Sequence, residues 1–136
     1  MRHAICYISN VDPEMNMQEI KNLLNFCQKK NRDNDIKGVL LYSDGNFFQV
    51  LEGRKADILE LWKKIENDSR HYGIMQVIGK DIEEGSYDSY KAEVLGEEKK
   101  FKLGLPAEYA ETIQGMAPDI KRVIERMLGN FIMTRP

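Results

Sequence analysis

Ile36-Lys37-Gly38-Val39-Leu40-Leu41-Tyr42, then Ser43-Asp44-Gly45-Asn46, then Phe47-Phe48-Gln49-Val50-Leu51-Glu52-Gly53 spell two apolar strands joined by a tight turn. The Asp44-Gly45 pair suits a type I′ turn, whose two central residues take positive φ, and so short a link fixes the register of the hairpin. One uncharged amide, Gln49, interrupts the second strand. A carboxamide offers donors and an acceptor from a single group, and in an apolar strand it must meet a partner able to satisfy both. A heterocycle edge that alternates C=O and N–H is such a partner.

Arg2 to Ser9 read as a first strand, apolar on both faces apart from its ends. Asn16-Met17-Gln18-Glu19 is a capping-box variant, and Met17, Ile20, Leu24 and Cys27 follow at helical spacing, which predicts a helix from about 17 to 30 that ends near Asn31. After Gly53, Ile58, Leu59, Trp62 and Ile65 line one side of a second helix lasting to about Ser69, with Trp62 in the core. Gly73 to Asp81 reads as a fourth strand, and Tyr87 to Leu95 as a weaker fifth with polar alternation. Glu97-Glu98-Lys99-Lys100 reads as a solvated connector. Pro118, at a helix start, precedes Ile120, Val123, Ile124, Met127 and Leu128 on one stripe.

The order βαββαβ predicts an α+β fold, a ferredoxin-like sandwich with an extra fifth strand. The first and third strands are expected as parallel neighbours at the centre of the sheet, with two helices on one face. Strands one to three are apolar on both sides, so the C-terminal helices are expected on the opposite face. Residues 1–96 would then form one domain and 97–136 a helical extension packed on the sheet. If Tyr7 and Gln49 both point to the two-helix face, adjacent central strands bring them side by side.

Composition limits the partners. With 42% hydrophobic and 31% charged residues in 136, the chain fits one soluble domain with a single core. The formal charge of −2 and the scattered basic residues argue against nucleic acid and anionic membrane surfaces. No apolar run approaches the roughly 20 residues of a membrane span, and the N-terminus lacks a secretory pattern, which predicts a cytoplasmic protein. Cys6 and Cys27 form no C-x-x-C pair and read as reduced structural thiols rather than a disulfide or metal site.

Tyr7-Ile8-Ser9, Asn31, Ile36-x-Gly38-x-Leu40-Leu41-Tyr42, Phe47-x-Gln49-x-Leu51-Glu52-Gly53 and Asp68-Ser69-Arg70-His71 together resemble the BLUF family, blue-light sensors that bind flavin. The resemblance covers residues 2 to 80. It implies non-covalent FAD, with FMN or riboflavin as variants, whose ring lies between the two helices above the central strands. Asn31 matches the asparagine at the ring's pyrimidine edge, Gln49 the glutamine beside flavin N5 and O4, and Tyr7 the tyrosine bonded to that glutamine. Arg70 and His71 match residues near the ribityl and phosphate portion, and Lys30 a position often basic in the family. Leu23, Leu40, Phe47, Ile65 and Asp68 complete the implied cofactor-binding set. By resemblance, Tyr7 exchanges an electron and a proton with excited flavin, and the Gln49 side chain then rearranges.

Each residue also has a plainer reading. Tyr7 and Gln49 could be a satisfied polar pair that orders the core, Asn31 a C-terminal helix cap, and Asp68, Arg70 and His71 a surface ion-pair cluster. Leu23, Leu40, Phe47 and Ile65 are core in either case.

The family usually carries an Arg, a Trp and, two residues after it, a Met near the fifth strand. Gly85, Tyr90 and Ala92 stand there instead. Tyr90 is expected to fill the Trp space as a second phenol near Gln49, and Ala92 to leave room for water or a side chain such as Met75. These two positions are the expected signal output. The chain reads as a photoreceptor without enzyme turnover, signalling to a separate protein partner or through self-association. The rival is a degenerate ferredoxin-like interaction module without photoactivity. A ferredoxin-like hydrolase would need a Gly-rich, Arg-bearing phosphate loop after the first strand, and none is present.

Overall fold

The computed structural model describes residues 1–95 and, beyond them, Tyr109, Glu111, Gly115, Pro118, Arg122 and Ile124. The chain divides into two compact units, Met1–Val94 and Leu95–Pro136. Most of the second unit, and with it the expected placement of the C-terminal helices, lies outside the described residues. Pro118, Arg122 and Ile124 are helical.

The first unit runs β1 (Arg2–Val11), α1 (Met17–Asp33), β2 (Lys37–Ser43), β3 (Asn46–Arg54), α2 (Lys55–Glu66), β4 (His71–Ile82) and β5 (Tyr90–Val94). The sheet order is β4-β1-β3-β2-β5. β1 and β3 are central neighbours as expected, but they run antiparallel, with Tyr7 opposite Gln49. The expectation of a parallel pair fails on chain direction. The α1 crossover returns β2 parallel to β1, and the hairpin then reverses β3. The fifth strand adds to the far edge, parallel to β2.

Local chemistry explains the element ends. Asn16 and Glu19 form the full capping box, the Asn16 side chain accepting from Glu19 N at 2.8 Å and the Glu19 carboxylate from Asn16 N at 3.0 Å. Asp44 at φ 46° and Gly45 at φ 85° make the hairpin turn. Helix α1 continues past the expected stop near Asn31, and Asn34 ends it, its side chain donating to Lys30 O at 2.8 Å. α2 stops at Glu66 rather than near Ser69. Asn67 caps it, and the Asp68 carboxylate then accepts from Arg70 N, drawing the chain into a turn before β4.

Side chains alternate across the sheet. Ile5, Tyr7, Phe47 and Leu51 pack with Ile20 and Leu24 of α1 and Ile58 and Trp62 of α2 in one buried cluster. Ala4, Cys6, Phe48 and Val50 point the other way and are equally buried, as the two-sided apolar pattern requires. Among the described residues no helix is long and apolar enough to cross a membrane.

Candidate functional site

Four buried polar side chains meet under α1. Gln49 Nε2 donates to the Tyr7 hydroxyl at 2.6 Å, and the Tyr90 hydroxyl donates to Gln49 Oε1. Asn31 lines the same cleft as Tyr7 and Gln49. All four are at most 5% exposed. The sequence dictates the meeting. Tyr7 and Gln49 are cross-strand partners on the helix-facing side, and Leu40 and Ala92 continue the same row on β2 and β5. Tyr90 sits opposite Gly38 and reaches across β2 beside this residue, which has no side chain. Asn31 lies on the buried stripe of α1 after Ile20 and Leu24, so it is an inward-facing group and not the helix cap. Burial pushes both phenols well above the ordinary tyrosine value, with the Gln49 bond opposing the rise at Tyr7 and the nearby Asn31 amide opposing it at Tyr90. Both hydroxyls therefore hold their protons at neutral pH.

Above this floor, a cleft of about 240 Å³ opens between α1 and α2. Of the expected cofactor-binding residues, Leu23, Lys30, Asn31, Phe47, Gln49, Ile65, Asp68, Arg70 and His71 line it together with Tyr7. Leu40 does not. It is buried in the core beneath, in register with Gln49. Phe26, Cys27, Leu61 and Lys64 also line the cleft, and sequence reasoning missed them. Phe26 and Cys27 stand three and four residues after Leu23, Leu61 stands four before Ile65, and Lys64 three after Leu61, so projecting each helix at its own period would have found them. A wider, shallower trough of about 670 Å³ adjoins the cleft and shares Asp68 and His71 with it. The smaller cleft is the better candidate site because the convergent buried polar groups lie in it.

The rim is charged and ordered. Arg70 grips Asp68 through Nε to Oδ1 at 2.9 Å and Nη2 to Oδ2 at 2.6 Å. The paired guanidinium holds the Asp68 carboxyl below its ordinary range. The His71 ring contacts Ile65 O at 2.7 Å through Nε2 and Ser9 Oγ at 2.8 Å through Nδ1. A carbonyl only accepts, so Nε2 carries a proton, and Nδ1 pairs with the serine hydroxyl, which can donate or accept. His71 thereby ties β4 to the end of α2, and its ring stands edge-on to Tyr7. Trp62 packs on the other ring contact of Tyr7 at 5.2 Å. Burial raises the Cys27 thiol, and Arg70 and Lys30 pull it down only in part.

β5 is an edge strand fastened from three sides. Arg32 Nε donates to Tyr90 O at 2.8 Å, and Gln28 Oε1 accepts from Ala92 N at 2.9 Å, so α1 satisfies outward backbone groups that β2 cannot reach. On the other face, the fully buried Glu52 accepts from the backbone N–H of Ser86 and Tyr87. Tyr87 was expected to open the strand, which begins only at Tyr90. A Cβ at Gly85 would meet Glu52 Oε1 at 3.0 Å and Arg2 Nη2 at 3.5 Å, so an acid and a guanidinium already occupy this corner. Met75 does not fill space at Ala92, because β4 and β5 are opposite edges of the sheet, four strand spacings or about 19 Å apart.

The donor set fits a flavin. Two uncharged carboxamides face a cleft with apolar walls, matching a flat ring with a mixed C=O and N–H edge. The cleft is too small for a whole dinucleotide, and Lys30, Lys64 and Arg70 at its mouth would suit the anionic tail.

Comparison with known proteins agrees. Residues 3–93 match the BLUF family, described as sensors of blue-light using FAD. The chain is 27% identical over 78 residues to the blue light- and temperature-regulated antirepressor BluF of Escherichia coli (strain K12), covering 57% of this chain and 19% of that protein. It is 33% identical over 86 residues to photoactivated adenylate cyclase subunit alpha of Euglena gracilis, covering 63% of this chain and 8% of that one. The chain thus spans less than a fifth of either relative. Among solved structures, BlsA in its photo-activated state superposes with a TM-score of 0.64 at 25% identity, covering 99% of this chain and 97% of that chain. With a buried Tyr-Gln pair and an inward asparagine lining its cleft, and a family match spanning residues 3–93, this chain belongs to the BLUF family of blue-light sensors that use FAD.

Proposed function

We propose that the cleft between α1 and α2 holds the FAD ring, with Asn31 and Gln49 on its polar edge, Leu23, Phe47 and Ile65 as walls, and Lys30, Asp68, Arg70 and His71 ordering the tail. Bound FAD supplies blue-light absorption and a strongly oxidising excited state. The chain's own part is a hydrogen-bond exchange. Gln49 Nε2 now donates to Tyr7. When the carboxamide turns over, Oε1 faces Tyr7 instead, and the hydroxyl changes from acceptor to donor while keeping its proton. Trp62 and His71, packed on the Tyr7 ring, hold it still through the exchange.

The observation that carries this reading is Gln49 suspended between two buried hydroxyls at the cleft floor. In an ordering pair with no ligand, nothing would require two inward carboxamides to face a cleft. The signal is expected to leave through β5 to a separate protein, or through self-association, with residues 97–136 as output surface and a cytoplasmic setting. The relatives' names, an antirepressor and a cyclase subunit, support a sensor that acts on another protein or domain.

The test is the visible absorbance of the purified protein in the dark, under blue light and through recovery. A flavin spectrum with a small, reversible red shift is expected, and Tyr7→Phe and Gln49→Leu should keep the flavin and lose the shift. A colourless protein after flavin feeding would leave the interaction module as the better reading.

A further inference from the structure

Among the described residues that line the cleft, Phe26 is the exposed aromatic, at 59%, while Leu23, Leu61 and Ile65 beside it are half-buried. It stands one turn before Lys30 on α1, and the Lys30 ammonium lies over its ring, 5.7 Å from the centroid. Among the described residues Lys30 forms no ion pair with a carboxylate. Arg70, by contrast, is already committed to Asp68 at 2.6 Å. An ammonium resting on an exposed phenyl face is weakly held, and a phosphate would draw it away.

The cleft of about 240 Å³ takes a flavin ring but not a whole dinucleotide, so the adenylate half of FAD must lie outside it. Once Lys30 turns to the diphosphate, the phenyl face it leaves is flat and apolar, one helical turn or about 6 Å along α1 from the charge. A purine stacks on such a face. The neighbouring trough offers Tyr72, 57% exposed, but its carboxylates Glu66 and Asp68 would repel a diphosphate.

We propose that Phe26 is the stacking platform for the adenine of FAD, with Lys30 passing from its ring to the diphosphate, and that this pair makes the site select FAD over FMN. The proposal rests on the reading of the cleft as the flavin site and assigns the cofactor's other half to named residues. No bond forms or breaks, and Phe26 takes no part in the photochemistry.

The experiment is a competition. The purified protein is loaded from an equimolar excess of FAD and FMN, freed of unbound flavin, and the bound flavins are released and separated. Bound FAD should exceed FMN about fivefold or more, the lower end of what base stacking on an aromatic side chain contributes. Phe26→Leu, which keeps apolar bulk without a ring face, should bring the ratio to within about twofold of one, and Phe26→Tyr should retain the preference. Tyr72→Ala should leave the ratio unchanged. Because the ratio is read only on protein that holds flavin, a general weakening of the cleft cancels. A second measurement needs no variant: in the FAD-loaded protein with labelled phenylalanine, the adenine protons should show nuclear Overhauser contacts to the Phe26 ring. Equal binding of FAD and FMN by the unaltered protein, a preference that survives in Phe26→Leu, a preference lost in Tyr72→Ala, or absence of the adenine contacts each overturns the platform while the flavin reading stands. Failure of the unaltered protein to hold either flavin overturns that reading and the platform with it.

Discussion

Glu52→Ala is the sharpest test of how β5 is held. Glu52 Oε1 accepts from Ser86 N at 2.6 Å and Tyr87 N at 3.2 Å, and the side chain is fully buried. A hydrogen bond to a charged acceptor contributes about 1.5–3 kcal/mol, with the 3.2 Å contact at the low end. Ser86 is exposed, so water recovers part of the loss at its N–H. Removing the carboxylate should therefore destabilise the protein by about 2–4 kcal/mol, and Glu52→Gln, which keeps a neutral acceptor of the same shape, by about 1–2 kcal/mol. Against a typical total of about 5–15 kcal/mol, either change moves a urea midpoint measurably. Trp62, the chain's only tryptophan, lies in the core cluster and reports unfolding by fluorescence. Backbone amide exchange at Ser86 and Tyr87 should quicken in both variants. A Glu52→Gln protein within about 0.5 kcal/mol of the unaltered one, with unchanged exchange at these two amides, would refute the anchoring role.

Gly38→Ala should cost about 2–6 kcal/mol, combining backbone strain with overpacking, because φ is +139° and the new Cβ would lie 1.9 Å from Val50 O; a near-normal urea midpoint would contradict it. Tyr7, Tyr87 and Tyr90 all have phenols raised by burial. Their folded pKa values exceed the unfolded one of about 10, so the stability they confer is complete below that pH and declines as pH rises above it. Ultraviolet titration should show these tyrosines ionising only as the fold breaks at high pH; early titration of all six tyrosines in a folded protein would contradict it. The lowered Asp68 carboxyl has the opposite sign: its stabilisation is present above the unfolded value and lost as pH falls below 3.8. The thermal stability gap between Asp68→Asn and the unaltered protein should therefore close in acid.

The hairpin and the first helix were legible because their signals are local: a two-residue turn, a capping box, apolar spacing. The Tyr7-Gln49 pair was legible too, since side-chain parity places both on one face once β1 and β3 are neighbours. Strand direction was misread although the crossover and hairpin determine it. The end of α1 was hidden because Lys29-Lys30-Asn31-Arg32-Asp33-Asn34 is polar throughout and contains no Gly or Pro to mark a stop. The extra turn matters, for it carries Arg32 to the Tyr90 carbonyl. Glu52 was invisible as an anchor because its partners are backbone groups more than thirty residues away, and no sequence pattern encodes them.

The exchange of a few hydrogen bonds sets a limit on what light can move in this protein. Turning Gln49 over changes two or three bonds of about 0.5–1.5 kcal/mol each, and a signal cannot bias an equilibrium by more than the differential energy it delivers. The element that responds must therefore be held by a comparable margin. β1, β2 and β3 are each paired on both sides, so separating one of them costs far more. β4 is an edge, but its ladder on β1 spans most of twelve residues. β5 has five residues and one ladder, and touches Gln49 through Tyr90. Its remaining attachments are single contacts from Arg32, Gln28 and the Glu52-held loop. Of the described strands that touch this amide, β5 is the least fastened.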